Sequence, residues 1–224
     1  MNEQDIVVYA YRNSLFHFSK CLLQFNEVSR RTHGEIINIL EDPQARRKLI
    51  CVPRGSLKSS LACIAYPIWR LANNPNLRIL IDSELYTNSS TFLREIKAHI
   101  QSRAFRAVFG DWRTRVWNES EIIISPRQKT LKEASICVGG IGTTKVGQHF
   151  DEIIGDDYNS PSNTNSPENA GKVIDHYKYN LSILEPTGTY TIIGTRYASN
   201  DLIGHILENE EHDRNEMQYS NQQA

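Results

Sequence analysis

The sequence predicts an α/β domain built on a mostly parallel sheet with helices on both faces. Three observations lead there. Short apolar runs of strand length alternate along the chain with longer stretches of helical spacing. The runs are nearly continuous in hydrophobic residues, as strands buried on both faces are. Finally, 224 residues with 39% hydrophobic and 23% charged side chains suffice for one sizeable core but not for two full domains.

Residues 13 to 29 place apolar side chains at Leu15, Phe16, Leu22, Leu23, Phe25 and Val28, the spacing of an amphipathic helix, and "GEIINILED" adds a short second one. The polar "DPQARRK" breaks the chain before the strand "LICV". After a loop, "KSSLACIAYPIWRLANN" has helical length, with a kink expected at Pro67, which has no N–H to donate. The alternation continues with the strand "RILID" and one helix over "NSSTFLREIKAHIQSRAFRAVF", N-capped near Asn88 or Ser89. The strands "EIIIS" and "ASICVGG" follow around a polar turn, then the strand "DEIIG", a helix within 167–184, the strand "TYTIIG" and a helix from about Asn200. No internal repeat is present. The division expected is an N-terminal helical segment (1–40) packed on a core (41–210), with 211–224 as a polar tail or the start of a linker.

Formal net charge is −1, from 25 basic and 26 acidic side chains, so no global field imposes a nucleic-acid or membrane partner and any such contact is a local patch. The cysteines Cys21, Cys51, Cys63 and Cys137 form no C-x-x-C pair and read as reduced residues, three of them in apolar contexts. No signal-peptide layout opens the chain, and no apolar run reaches the ~18 residues of a membrane span. Together these predict an intracellular protein.

Three short stretches carry chemistry. "LICVPRGSLKSSLACIA" runs strand, tight loop, lysine, hydroxyl, helix, which is the order of a phosphate-binding P-loop. The consensus G-x-x-x-x-G-K-[ST], laid on Lys58 and Ser59, puts glycines where Val52 and Leu57 stand, and an ordinary basic loop fits this segment alone equally well. "FDEIIGDDYN" is an apolar strand ending in Asp156 and Asp157, placed to hold Mg²⁺ and to orient an attacking water; "DDYNSPSN" is also good turn chemistry. "TIIGTRYASNDL" ends a strand in Gly194 and Thr195, where a hydroxyl can sense the γ-phosphate, or where a capped helix simply begins. The long interval between the lysine and the acids has room for a strand lying between theirs, the order of P-loop NTPases of the additional-strand, catalytic-acid type.

Taken in order, "VPRGSLKSS", "VGGIGTTKVGQHFDEIIGDDY" and "LEPTGTYTIIGTRYASNDLIGHIL" resemble the ATPase domain of the large terminase subunit, the DNA-packaging motor of tailed bacteriophages. The likeness runs over roughly residues 17 to 207. It implies ATP and Mg²⁺ as cofactors, with Pro53, Arg54, Gly55, Ser56, Leu57, Lys58, Ser59 and Ser60 forming the phosphate loop. Lys58 matches the phosphate-binding lysine, Ser59 the Mg²⁺ hydroxyl, and Arg54 an additional basic residue facing the γ-phosphate or a neighbouring acid. Asp156 matches the Mg²⁺ ligand and Asp157 the catalytic acid, an Asp where many relatives have Glu, while Gly194, Thr195 and Arg196 match the motif that couples hydrolysis to DNA movement. Gln24 lies in the region of the adenine contact. An arginine finger from a neighbouring subunit is expected just before the acid-bearing strand; that segment offers Lys145 instead, leaving Lys145, Arg127 or Arg196 as candidates.

The partners implied are double-stranded DNA, other copies in a homo-oligomeric ring on a capsid portal, and a small terminase subunit, all in the host cytoplasm and with no membrane. The nuclease domain of a full terminase is expected to be absent, because one helix and a polar tail follow Thr195. Two other readings stay open: a helicase-like ATPase, for which a second lobe is lacking, and a nucleotide-binding assembly module without turnover, suggested by Val52, Leu57 and Asp157 at departures from the motif.

Overall fold

In the computed structural model, which describes residues 3–143, 145–198, 201–209 and 217–221, the strands form one sheet. They are β1 (Arg47–Cys51), β2 (Ile79–Ser83), β3 (Glu121–Ile122), β4 (Ile136–Val138), β5 (Phe150–Asp156), β6 (Leu184–Gly194) and β7 (Met217–Asn221). Their order is β3-β4-β2-β5-β6-β1-β7, and every neighbouring pair is parallel except β3 with β4. The helices are α1 (Glu3–Arg12), α2 (Leu15–His17), α3 (Arg30–Glu41), α4 (Tyr66–Asn73), α5 (Tyr86–Gln101), α6 (Arg103–Phe109), α7 (Pro167–Ser182) and α8 (Leu202–Asn209). A π-helical turn, Phe18–Leu22, prolongs α2, and another, Ser60–Ala65, leads into α4.

Side chains along each strand alternate between two cores, as the period of two in an extended chain requires. Ile50, Val52, Ile81 and Ile154 pack with Leu61, Ile64, Leu93 and Phe105 on one face, and the N-terminal residues Leu15, Phe18, Leu22 and Ile36 join them. Leu49, Leu80, Ile153 and Ile192 pack with Val173, Tyr177, Leu202 and Ile206 on the other. The sheet is therefore buried on both faces, which is why its strands read as nearly unbroken apolar runs.

Several elements differ from expectation. Residues 13–29 hold a helix only to Leu22, and α1, which presents Ile6, Val7 and Tyr9 to solvent, was not among the expected helices. The expected kink at Pro67 becomes the wide π-helical turn before α4, which accommodates a residue that cannot donate to the helical ladder. The single helix over 88–109 is two, because Ser102 leaves helical geometry (ψ 151°) and its hydroxyl accepts from Phe105 N to cap α6. Residue Leu85, and neither Asn88 nor Ser89, stands at the start of α5, and the Ser89 hydroxyl donates instead to the Gly139 carbonyl. The strand between β1 and β5 is β6, which follows the acids in sequence and does not come from the interval before them. Within the segment read as a polar tail, Met217–Asn221 pairs parallel to β1. Asn200, the expected start of the last helix, lies outside the described residues. Cys51, Cys63 and Cys137 are buried, Cys21 is exposed, and all four are free thiols.

Charge organises the amino ends of the strands. Arg78, just before β2, makes a two-pronged contact with Asp151 (Nε to Oδ2 3.0 Å, Nη2 to Oδ1 2.9 Å) and also reaches Glu185 at 2.7 Å and Glu133 at 3.5 Å. On β1, buried Lys48 donates to the Leu40 carbonyl at 2.7 Å and ties the end of α3 to the sheet. Burial pushes the Lys48 ammonium down to about 8, with Glu152 opposing and Arg70 assisting. The unfolded chain then holds a proton on Lys48 between about 8 and 10.5 that the folded chain does not, so its burden on stability is full below about 8 and is relieved as pH rises. Relative to Lys48→Met, the wild-type protein should gain about 1–3 kcal/mol between about pH 7.5 and about pH 10, read by urea denaturation of both at each pH.

Candidate active site

The carboxyl ends of β1, β6 and β5 lie side by side, and the loops leaving them meet at one place. The loop after β1 makes a tight turn: Gly55 takes φ 81° and the Ser56 hydroxyl donates to the Pro53 carbonyl at 2.8 Å. Leu57 then takes φ 53°, a left-handed conformation that ordinarily selects glycine. The position where the phosphate-loop consensus calls for glycine is thus one where the backbone does turn left-handed, and a leucine occupies it. From Lys58 the chain is helical, and Leu61 N–H bonds the Leu57 carbonyl at 3.0 Å. N–H groups in the first turn of a helix have no intrahelical acceptor, so those of Lys58, Ser59 and Ser60 form a donor cluster suited to an anion.

Two contacts join this loop to the acids ending β5. The Ser59 hydroxyl donates to Asp156 Oδ1 at 2.7 Å, and Lys58 Nζ lies 3.7 Å from Asp157 Oδ2. Lys58 and Asp156 are buried while Asp157 is partly exposed. Burial pushes the Asp156 carboxyl up to about 7; neighbouring Asp157 adds to the rise, and the Ser59 hydroxyl and Lys58 oppose it. Asp157 takes φ 41°, and its Oδ1 is buried without a hydrogen-bond partner. The turn chemistry of "YNSPSN" is used as well: Ser160 N donates to Asn163 Oδ1 at 2.8 Å, so an acid site and a turn coexist.

The third stretch buttons these two together. Val52 N–H bonds the Gly194 carbonyl at 3.3 Å, and the Thr195 hydroxyl donates to the Val52 carbonyl at 3.4 Å. Arg54 is exposed, donates to the Tyr197 hydroxyl and lies 5.9 Å from that ring's centre. Asp201 caps α8 through Gly204 N at 2.9 Å while its other oxygen accepts from Tyr197 N at 2.8 Å. Leu202 N bonds the Asn159 side chain at 3.2 Å, so α8 is tied directly to the acid loop.

Other expected site residues stand apart. Gln24 is exposed in a left-handed turn (φ 61°) just beyond the π-helical Phe18–Leu22, which packs on Ser60–Ala65. Arg196 is exposed and its Nε bonds the Ala198 carbonyl at 3.4 Å. Arg127 donates to the Glu133 carbonyl at 2.7 Å beside the Arg78 cluster, at the opposite ends of the strands from the acids. Lys145 N–H bonds the Tyr179 hydroxyl at 2.7 Å near Cys137 of β4, so it does not meet Lys58 or the acids of its own chain. Sequence reasoning missed the ties that Tyr197 makes to Arg54 and Asn159 to α8; each is one polar residue in a stretch read for something else.

A Mg²⁺ ion fits the donors present. A buried carboxyl with one hydroxyl beside it offers two hard oxygen donors of the kind Mg²⁺ prefers. Among the described residues no three His, Cys, Asp or Glu side chains group to hold a metal by themselves.

Relief of left-handed strain in Leu57→Gly, worth about 1 kcal/mol, is offset by lost packing of this half-buried side chain and by the greater freedom of glycine in the unfolded chain. The expected net change is under about 1 kcal/mol in chemical denaturation, whereas β-branched Leu57→Val should destabilise by about 1–2 kcal/mol.

No protein-family model matches the chain. No curated protein matches it in sequence. In fold it is similar to the crystal structure of the HK97 bacteriophage large terminase, with a TM-score of 0.56 and 12% identity over 97% of this chain. The chain spans 43% of that terminase's length, and at this identity the likeness is one of fold.

Proposed function

We propose that this chain is an ATP-hydrolysing motor domain that couples hydrolysis to translocation of double-stranded DNA, as the large-terminase resemblance implies. The observation that carries the reading is the meeting of Lys58 with Asp157 and of Ser59 with Asp156 where β1 and β5 end. The position of β6 between them favours the additional-strand, catalytic-acid type of P-loop NTPase. Likeness of fold to a phage large terminase adds support.

In this reading Lys58 and the N–H groups of Lys58, Ser59 and Ser60 bind the β- and γ-phosphates of ATP. Ser59 and Asp156 would hold Mg²⁺, which when bound would neutralise charge on the phosphates. Asp157 accepts a hydrogen bond from the attacking water and orients it toward the terminal phosphorus. Arg54 moves between Tyr197 and the γ-phosphate, while Gly194 and Thr195, bonded to Val52, relay displacement of the loop to α8 through Asp201. Copies assembled on a capsid portal, with a small terminase subunit as partner, place the Lys145 loop of one beside the site of the next. DNA is gripped through its phosphates by basic loop residues.

A second reading, a nucleotide-binding module without turnover, is favoured by the Lys58–Asp157 contact, which a bound phosphate has to compete with. Steady-state Mg-ATP turnover, with and without duplex DNA and at concentrations where copies assemble, separates the two. Lys58→Ala and Asp156→Ala should each lower turnover by about 100-fold or more. Asp157→Asn should lower kcat while nucleotide affinity stays within about threefold. Tight ATP binding without turnover in every assembly state would leave only the second reading.

A further inference from the structure

On the α7 face of the sheet, behind the acid pair, lies a second polar cluster that the mechanism above does not use. Asp82, near the end of β2, is 1% exposed. Its Oδ2 accepts from Asn180 Nδ2 at 2.7 Å and from the Tyr158 hydroxyl at 3.0 Å, and lies 2.6 Å from His176 Nε2. The Tyr158 and Tyr190 hydroxyls are 3.1 Å apart, and Asn180 Nδ2 lies 3.1 Å from the first. All five side chains are buried, in the core that also holds Leu80, Val173 and Ile192. Buried polar networks of this kind often add little net stability over apolar packing of the same volume, and when fully bonded they hold their members in one defined geometry.

What that geometry holds is Tyr158, the residue after Asp157. With Asp157 in a left-handed conformation, the Tyr158 side chain closes over Gly155. A Cβ added at Gly155 would come within 2.3 Å of that ring. Asp157 is thus anchored on both sides: its own N–H bonds the Ile193 carbonyl at 2.9 Å, and the next side chain is clamped through its hydroxyl to Asp82. Glu84, two residues after Asp82, adds another tether by accepting from Ser160, Ser162 and Asn163. Left-handed backbone at a residue with a side chain persists only where the surroundings impose it. Here β2 and α7 impose it, through Tyr158.

We infer that Asp82, Asn180 and Tyr158 are positioning residues that aim the Asp157 carboxylate at the attacking water, an inference resting on the ATPase reading above. A network that only stabilised the fold would lower the melting temperature and leave the folded enzyme's kcat unchanged. A positioning network lowers kcat without weakening nucleotide binding, because Lys58 and Ser59 belong to another loop.

Tyr158→Phe removes one hydroxyl and keeps the ring on Gly155. Two measurements test it: amide hydrogen exchange in the nucleotide-free protein, and Mg-ATP kinetics below the variant's melting temperature. Exchange at residues 157–159 should quicken about tenfold, with β1 and β2 unchanged. kcat should fall about 10- to 100-fold, with KM for ATP within about threefold. Asp82→Asn, which keeps an acceptor for the tyrosine, should retain more activity than Asp82→Leu, and it carries the same test if Tyr158→Phe does not fold. A folded Tyr158→Phe with kcat within about twofold of wild type overturns the inference and leaves the ATPase reading standing. Wild-type protein without turnover in any assembly state overturns both.

Discussion

A carboxyl buried at the end of a strand is costly unless something shares its charge, and Asp156 is such a group. Among the described residues it accepts a hydrogen bond from the hydroxyl of Ser59, on a loop distant in sequence. The cost of that arrangement accounts for much of the surrounding design. Parallel strands bring the two loops to the same edge, and doubly covered burial of the sheet fixes their separation. Arg78 gathers Asp151, Glu133 and Glu185 at the other ends of the strands, so that acids outside the site have a guanidinium partner of their own. Burial that raises Asp156 is opposed only in part by Ser59 and Lys58.

Two side-chain-bearing residues at this edge, Leu57 and Asp157, carry left-handed backbone. One shapes the loop after β1 and the other lies just beyond the end of β5. Each costs about 1–2 kcal/mol relative to a relaxed residue, which marks them as imposed by packing and not chosen by local preference. For Leu57 the loop is held by the Ser56–Pro53 turn on one side and the helix on the other. The missing glycine therefore changes the energy of the loop and leaves its shape in place.

The strands of the central sheet were legible because burial on both faces writes them as apolar runs, and the ordered lysine, acid and "GTRY" stretches pointed to residues that the fold brings to one edge. Sheet order was not legible: nothing local in "TYTIIG" says that it inserts between two earlier strands. The strand at 217–221 went unread because it pairs through its backbone at an edge and its alternation spans only "MQYS" inside a polar segment. The break at Ser102 resembled one more polar helical position until its hydroxyl was seen capping α6. Asp82 sits inside "RILID", where a single carboxylate in a strand has no periodic signature, and its partners come from α7 and the acid loop. Networks of that kind are nonlocal by construction, so a linear reading meets their members one at a time.

The π-helical turn at Ser60–Ala65 separates two contacts that must keep a fixed rotation about the helix axis. Upstream, Lys58 and Ser59 face the ends of β1 and β5; downstream, Arg70 of α4 reaches Glu152 in the middle of the same sheet. An α-helix turns about 100° per residue, so the wide turn works as a phase adjuster between them. Deleting one residue from it would restore a regular helix and swing the lysine and serine about a quarter turn away from the acids, with β1, β5 and the arginine contact all left intact. Length in this segment is therefore constrained more tightly than composition: a substitution alters packing, but a single-residue deletion uncouples the two ends.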